Sequence, residues 1–206
     1  MFTGITRGLF EVVHVEREPG LLRYDVALGD YGKGLELGAS VSIDGVCQTV
    51  VRWGGGVARF EAIQETLDKT TLDALETGAK VSVERSAKVG DEIGGHDVAG
   101  HVNGTGRIHA VHREGHEVQL TIEVPPAWMK YLQPKGYVAI DGSSLTIGAD
   151  VDEARGRFDL FLIPETLELT KLGEKQPGDP VNVELDPKTV AIVRTVEREL
   201  ARRGLG

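Results

Sequence analysis

The sequence contains a single cysteine, Cys47, so no intrachain disulfide framework is available to it. A lone thiol fits a reducing compartment, and a cytoplasmic location is the expectation. No apolar run approaches the ~20 residues needed to cross a bilayer. The opening residues Met1 to Arg7 lack a basic stretch followed by an apolar one, so no signal peptide is expected. Positive charge is also in short supply, with 23 Lys and Arg against 32 Asp and Glu and a net charge of -9. That balance argues against nucleic acid or an anionic membrane as partner. What remains is 206 residues, 40% apolar and 27% charged, enough for one folded domain or two small ones.

Internal repetition organises this material. Ser42-Ile43-Asp44-Gly45-Val46-Cys47-Gln48-Thr49-Val50 aligns with Ala139-Ile140-Asp141-Gly142-Ser143-Ser144-Leu145-Thr146-Ile147 at an offset of 97. Ile63 to Thr70 aligns with Ile163 to Thr170 at an offset of 100, and the register continues from Gly78, Val81, Val83 and Glu84 to Gly178, Val181, Val183 and Glu184. Near the start Gly4 falls on Gly100 and Gly8 on Gly104, an offset of 96. The chain reads as a duplicated module followed by a distinct tail, with the drift in offset placed in loops.

Each module reads as strands. Leu9 to Val15, Leu22 to Leu28, Ala39 to Ile43, Gln48 to Arg52 and Val57 to Ile63 are short apolar or alternating runs separated by turn clusters. Asp44-Gly45 and Asp141-Gly142 predict type I′ hairpins, whose central residues both need positive φ. About six strands in so small a unit favour a closed antiparallel barrel, which leaves no exposed edge. Leu67 to Leu72 predicts a short helical turn. In the tail, Asp186-Pro187 predicts a capped helix start, Val190, Val193, Val196 and Leu200 recur at helical spacing, Glu199 pairs with Arg203, and Gly204 ends the helix. Its apolar stripe must dock either on its own barrel or on other copies of the chain.

Familiar catalytic patterns are sparse. There is no P-loop, and Gly104-Thr105-Gly106 precedes a strand rather than a helix, which removes the reason for a phosphate to bind there. His109, His112 and His116 fall at spacings that scatter them across a strand, so no metal site is expected. Differences between equivalent positions are more informative. Cys47 stands opposite Ser144, His101 opposite Ile5, and Lys135 precedes the second Asp-Gly turn. Each admits a bland reading: a packed thiol, an ordinary histidine, and, for Thr49 and Thr146, good strand formers.

Taken together, Met1-Phe2-Thr3-Gly4-Ile5, Asp44-Gly45-Val46-Cys47, Glu65-Thr66-Leu67, Gly94-Gly95-His96, Gly100-His101-Val102, Ile140-Asp141-Gly142-Ser143-Ser144-Leu145-Thr146 and Ile163-Pro164-Glu165-Thr166-Leu167 resemble the alpha-chain type of riboflavin synthase across essentially the whole chain. The resemblance implies an all-β fold of two similar six-stranded Greek-key barrels, residues 1–96 and 97–186, plus a C-terminal α-helix, residues 187–206, that assembles a homotrimer. It implies transfer of a four-carbon unit between two molecules of 6,7-dimethyl-8-ribityllumazine, giving riboflavin and 5-amino-6-(D-ribitylamino)uracil without metal or cofactor. A lumazine synthase shell is a partner of some relatives.

The resemblance carries ligand positions onto Gly4, Ile5, Thr6, Ser40, Cys47, Gln48, Thr49, Glu61, Ala62, Ile63, Gln64, Glu65 and Thr66 in the first half. In the second half it carries them onto Gly100, His101, Val102, Lys135, Ser144, Leu145, Thr146, Ile163, Pro164, Glu165 and Thr166. Within it, His101 is the general base or proton shuttle, since histidine is the side chain that titrates near neutral pH. Cys47, Ser144 and Asp141 position water or stabilise the adduct, Lys135 offsets developing negative charge, Phe2 closes the site, and Glu65 and Glu165 receive ribityl hydroxyls. Gln48, Ala99 and Lys171 depart from the Leu, Ser and Thr more frequent in the family. Gln48 offers a polar contact to the ring or marks a changed ligand. Two other readings stay open: a non-catalytic lumazine- or flavin-binding relative, and a structural barrel scaffold.

Overall fold

The structure, a computed structural model, describes residues 1–115 and 117–205; the expectation for His116 lies outside them. In the first half, β1 (Leu9–Glu18), β2 (Leu21–Ala27), β3 (Ser40–Ile43), β4 (Val46–Thr49), β5 (Arg52–Gly54), β6 (Val57–Ile63) and β7 (Lys80–Arg85) form an antiparallel sheet in the order β4-β3-β7-β1-β2-β6-β5. In the second, β8 (Gly104–Glu114), β9 (Glu117–Glu123), β10 (Tyr137–Ile140), β11 (Ser143–Asp152), β12 (Arg157–Leu162) and β13 (Pro180–Leu185) close a barrel in the order β10-β11-β12-β9-β8-β13. The long β9-to-β10 and β12-to-β13 connections make its connectivity a Greek key.

The halves differ where one strand was expected over Gln48 to Arg52. That run is broken: Val50 N–H donates back to Ala39 O and Val51 N–H donates forward to Arg59 O, each at 2.9 Å. The two edges of the seven-stranded sheet, β4 and β5, are therefore the two arms of one bent strand, while its counterpart β11 runs through with a register shift between Ile147 and Val151. Of the three residues by which the offset drifts from 97 to 100, two fall in the following hairpin, Gly55-Gly56 in the first half against Glu153 to Gly156 in the second, and one in the irregular stretch before it.

Alternation places Leu22, Tyr24, Val26, Ala58, Phe60 and Ala62 inside the first unit and Leu120, Ile122, Phe158, Leu160 and Leu162 inside the second. A third, small cluster of Phe2, Val98 and Ala139 lies between them. The expected turn at Leu67 to Leu72 is a short helix α1 (Gln64–Lys69) followed by a 3₁₀ turn; its counterpart is α2 (Pro164–Leu169). The tail helix α3 (Pro187–Arg202) is capped by the Asp186 carboxylate, which accepts from Lys188 N–H at 3.3 Å and Thr189 N–H at 3.0 Å. Only part of its stripe docks within the chain. Val190 and Val193 pack on the second barrel, while Ile192, Val196 and Leu200 remain 64%, 52% and 40% exposed. Among the described residues no helix is long and apolar enough to cross a membrane.

Candidate functional site

The two Asp-Gly turns meet back to back. Asp44 and Gly45 have φ of 45° and 83°, and Asp141 and Gly142 repeat those values. The strand leaving each turn alternates in the same way. Val46 and Gln48 face inward with Cys47 and Thr49 outward, and Ser143 and Leu145 face inward with Ser144 and Thr146 outward. Each half then receives a segment from the other. Cys47 N–H donates to Gly100 O at 2.8 Å, and Ser144 N–H donates to Gly4 O at 2.8 Å. The crossing segments are bridged to each other through Phe2 and Val98.

A buried carboxylate anchors each crossing. Glu84 accepts from Thr3 N–H at 2.7 Å and Gly4 N–H at 3.0 Å, and Glu184 accepts from Ala99 N–H at 2.7 Å and Gly100 N–H at 2.8 Å. Burial pushes both carboxyls above the ordinary glutamate value, partly opposed by these hydrogen bonds. The signal for this pair was visible as Glu84 and Glu184 in the repeat, but the repeat does not say what they hold.

Two cavities result. The first, 320 Å³, is lined by Val46, Cys47, Glu65, Thr66, Lys69 and Thr70 of the first half and Gly100, His101 and Val102 of the second. The second, 130 Å³, is lined by Ser143, Ser144, Leu145, Ile163, Glu165, Thr166, Leu169 and Thr170 of the second half and Gly4, Ile5 and Thr6 of the first. This corrects the grouping by halves. Gly4-Ile5-Thr6 joins Ser144, and Gly100-His101-Val102 joins Cys47, because the crossing hydrogen bonds exchange the leading segments.

Other expected residues fall elsewhere. Phe2 is 1% exposed and packs behind Cys47 rather than over a cavity. Asp141 lines neither cavity; its Oδ1 accepts from Asn182 N–H at 2.7 Å within the turn. The Gln48 side chain points into the first core, where Tyr24 O–H donates to its Oε1 at 3.2 Å and its Nε2 donates to Cys47 O at 3.0 Å. It therefore offers the ring no side-chain contact. Glu65 is held by Lys69 one helical turn on, whereas the residue one turn beyond Glu165 is Leu169.

Among the remaining expected positions, Glu61 is held by Arg23 Nε at 2.9 Å, Ala62 is buried, and Ser40 opens β3. Ile63 is exposed, Gln64 opens α1 and bonds Asp68, and Pro164 opens α2. Thr49 and Thr146 are exposed on the faces that carry Cys47 and Ser144. Lys135 sits at φ 63° where the first half has Gly38 at φ 84°, a left-handed position uncommon for lysine. His109 and His112 turn to separate carboxylates, Glu123 and Glu114, each at 3.6 Å.

His96 stands behind the second cavity against Ser144 and was not singled out as a site residue, although Gly94-Gly95-His96 was visible as a motif. Its Nδ1 lies 2.6 Å from Ser144 Oγ, its ring stacks on Tyr137 at 5.1 Å, and its Nε2 is buried without a partner. Burial lowers its pKa, keeping the imidazole neutral and able to exchange a proton with the Ser144 hydroxyl.

Asp141 gives a pH test of the turn region. Burial pushes its pKa up from 3.8 to about 6, with Lys175 and Lys171 opposing and Asp44 reinforcing the shift. Between those values the folded chain keeps a proton that the unfolded chain has released. This carboxyl's contribution to stability therefore falls as pH rises through that window and is level above it. Urea midpoints measured across the window are expected to fall relative to those of D141N; parallel curves would count against it.

The comparisons with known proteins bear on this geometry. The sequence matches the lumazine binding domain family twice, over residues 3–86 and 99–186. The chain belongs to the lumazine binding domain family. Among its relatives, riboflavin synthase of Escherichia coli (strain K12) is 43% identical over 205 residues, covering 98% of this chain and 95% of that protein. Riboflavin synthase of Brucella abortus (strain 2308) is 42% identical, covering 90% and 93%. The crystal structure of LumP complexed with 6,7-dimethyl-8-(1'-D-ribityl) lumazine is 26% identical with a TM-score of 0.78, covering 89% of this chain and 98% of that one. The lumazine binding domain matches begin and end near the crossing segments, so each spans one cavity-forming hairpin with its anchoring glutamate.

Proposed function

We propose that this protein is a riboflavin synthase that takes two molecules of 6,7-dimethyl-8-ribityllumazine and transfers a four-carbon unit from one to the other. The observation that carries this reading is the near-full-length identity to riboflavin synthases in a chain with two equivalent cavities. A reaction between two identical substrates calls for two similar pockets, and holding both in contact supplies part of the barrier as prepaid entropy. Atoms and electrons balance between riboflavin and 5-amino-6-(D-ribitylamino)uracil, so the chemistry needs no outside oxidant.

In this reading, residues 1–96 and 97–186 are the two lumazine-binding units and 187–206 meets other copies in a cytoplasmic homotrimer. The second cavity, at 130 Å³, is below the ~300 Å³ common for small-molecule sites and is completed by a neighbouring copy. The exposed Ile192, Val196 and Leu200 suit such assembly. A lumazine synthase is a further partner in this reading.

His101 stands in the first cavity beside Cys47 and is assigned proton transfer to or from the 7-methyl group. Ser144, hydrogen-bonded to His96, offers the second lumazine a hydroxyl or holds the water that adds to it. Lys135, Thr49 and Thr146, all exposed, are assigned to ring contacts. His101→Ala is expected to lower turnover by about 100-fold while lumazine still binds; unchanged turnover removes His101 from this role.

The LumP complex supports a second reading, a lumazine binder without turnover. Purified protein mixed with 6,7-dimethyl-8-ribityllumazine separates the two. Growth of riboflavin absorbance supports the synthase, and a fluorescence change without product supports the binder.

A further inference from the structure

The turn that leads to Cys47 is braced across the seam between halves by side chains of the second half. Asp44 is 2% exposed; its Oδ1 accepts from Ser82 N–H at 2.7 Å and its Oδ2 accepts from Lys171 Nζ at 3.0 Å. The equivalent Asp141 accepts from Asn182 N–H in the same way, but the residue equivalent to Lys171 is Thr71. There Asn182 makes the crossing itself. Its Nδ2 donates to Asp44 O at 2.7 Å and Thr71 Oγ1 at 2.9 Å, and its Oδ1 accepts from Thr71 N–H at 2.8 Å.

Ser82 occupies the position equivalent to Asn182 and is too short to cross; its buried Oγ has no hydrogen-bond partner among the described residues. Lys171 reaches over from the second half to the Asp44 carboxylate. Lys171 and Asn182 thus both reach from the second half to the Asp44 turn, Lys171 to its carboxylate and Asn182 to its backbone carbonyl. Without Lys171, Asp44 Oδ2 would lack this partner in a site closed to solvent, an arrangement disfavoured for a carboxylate.

Lys171 also follows Leu169 and Thr170, which line the second cavity, and Asp44 lies three residues before Cys47 of the first. We propose that Lys171 is a positioning residue for the first cavity, setting the place of Cys47 through Asp44. The proposal rests on the reading that lumazine occupies the first cavity.

Cys47 is the chain's single thiol, so its alkylation by iodoacetamide reports on this cavity alone. The experiment compares the intact protein with K171T and K171R, with and without 6,7-dimethyl-8-ribityllumazine as protectant. In K171T, half-protection of Cys47 is expected to need at least about ten times more lumazine, with an altered alkylation rate in its absence. K171R, which keeps the crossing charge, is expected to recover to within about threefold. K171M carries the same comparison if K171T does not fold. A K171T protein that melts earlier yet keeps the parental alkylation rate and protection would overturn the proposal, leaving Lys171 merely structural. Failure of lumazine to protect the unmutated protein would overturn the occupancy reading instead, and the ligand-free rates would still decide whether Lys171 places Cys47.

Discussion

Gly100→Ala is expected to lower riboflavin formation by at least about 100-fold, about 2.7 kcal/mol of barrier, while both halves stay folded. Gly100 has φ +77°, and a Cβ there would lie 2.6 Å from Cys47 Cβ and 2.9 Å from Cys47 N. The left-handed conformation alone costs an L-residue about 1–2 kcal/mol. The steric conflict is worse, since part of it is with backbone that the β3–β4 ladder fixes. Relief requires the crossing segment to lift away. That removes the Gly100 carbonyl from Cys47 N–H and two N–H donors from the buried Glu184, and it carries His101 out of the cavity. Steady-state turnover together with near-UV circular dichroism checks this; native dichroism with undiminished turnover would refute it. Gly4→Ala is the mirror experiment, its Cβ falling 2.5 Å from Ser144 Cβ.

Gly45→Ala is expected to act on stability, by about 3 kcal/mol or more. Gly45 has φ +83°, and its Cβ would sit 2.4 Å from Gly142 N and 2.9 Å from Gly142 Cα. Two backbones meet there, so no flexible side chain can yield, and separating the turns opens the buried seam that contains Asp44 and Asp141. Gly34→Ala is the control. Gly34 has φ +75° with nothing within 4 Å of the added carbon, so it isolates the conformational cost of about 1–2 kcal/mol. Urea unfolding of the two variants separates the terms. Equal losses would mean that the close contact between turns contributes nothing.

Much of the fold could be read in the residues. Asp-Gly pairs specify type I′ turns because few other dipeptides tolerate positive φ twice. Alternation of Leu22, Tyr24 and Val26 marks one buried strand face, and the proline after Asp186 marks a helix start. These are local rules, and the repeat doubled their weight. The break at Val50-Val51 escaped them, since a run of apolar residues looks continuous whether or not its hydrogen bonds change partner midway. Gln48 was misread for a related reason. Its polarity suggested a ligand contact, but strand parity turns it inward to Tyr24.

The site divides along the same line. The sequence by itself determined the duplication, the glycines, the paired turns and the residue types at Cys47, Ser144, His101 and His96, because these follow from short-range spacing and internal comparison. Only the tertiary structure decided which residues share a cavity. The leading segment of each half crosses to the other half's hairpin, joining Gly100 to Cys47 and Gly4 to Ser144, and no local pattern encodes that exchange. Its cause is non-local: two hairpins packed glycine to glycine bring each buried glutamate to the segment ahead of its own barrel, and place that segment against the opposite strand.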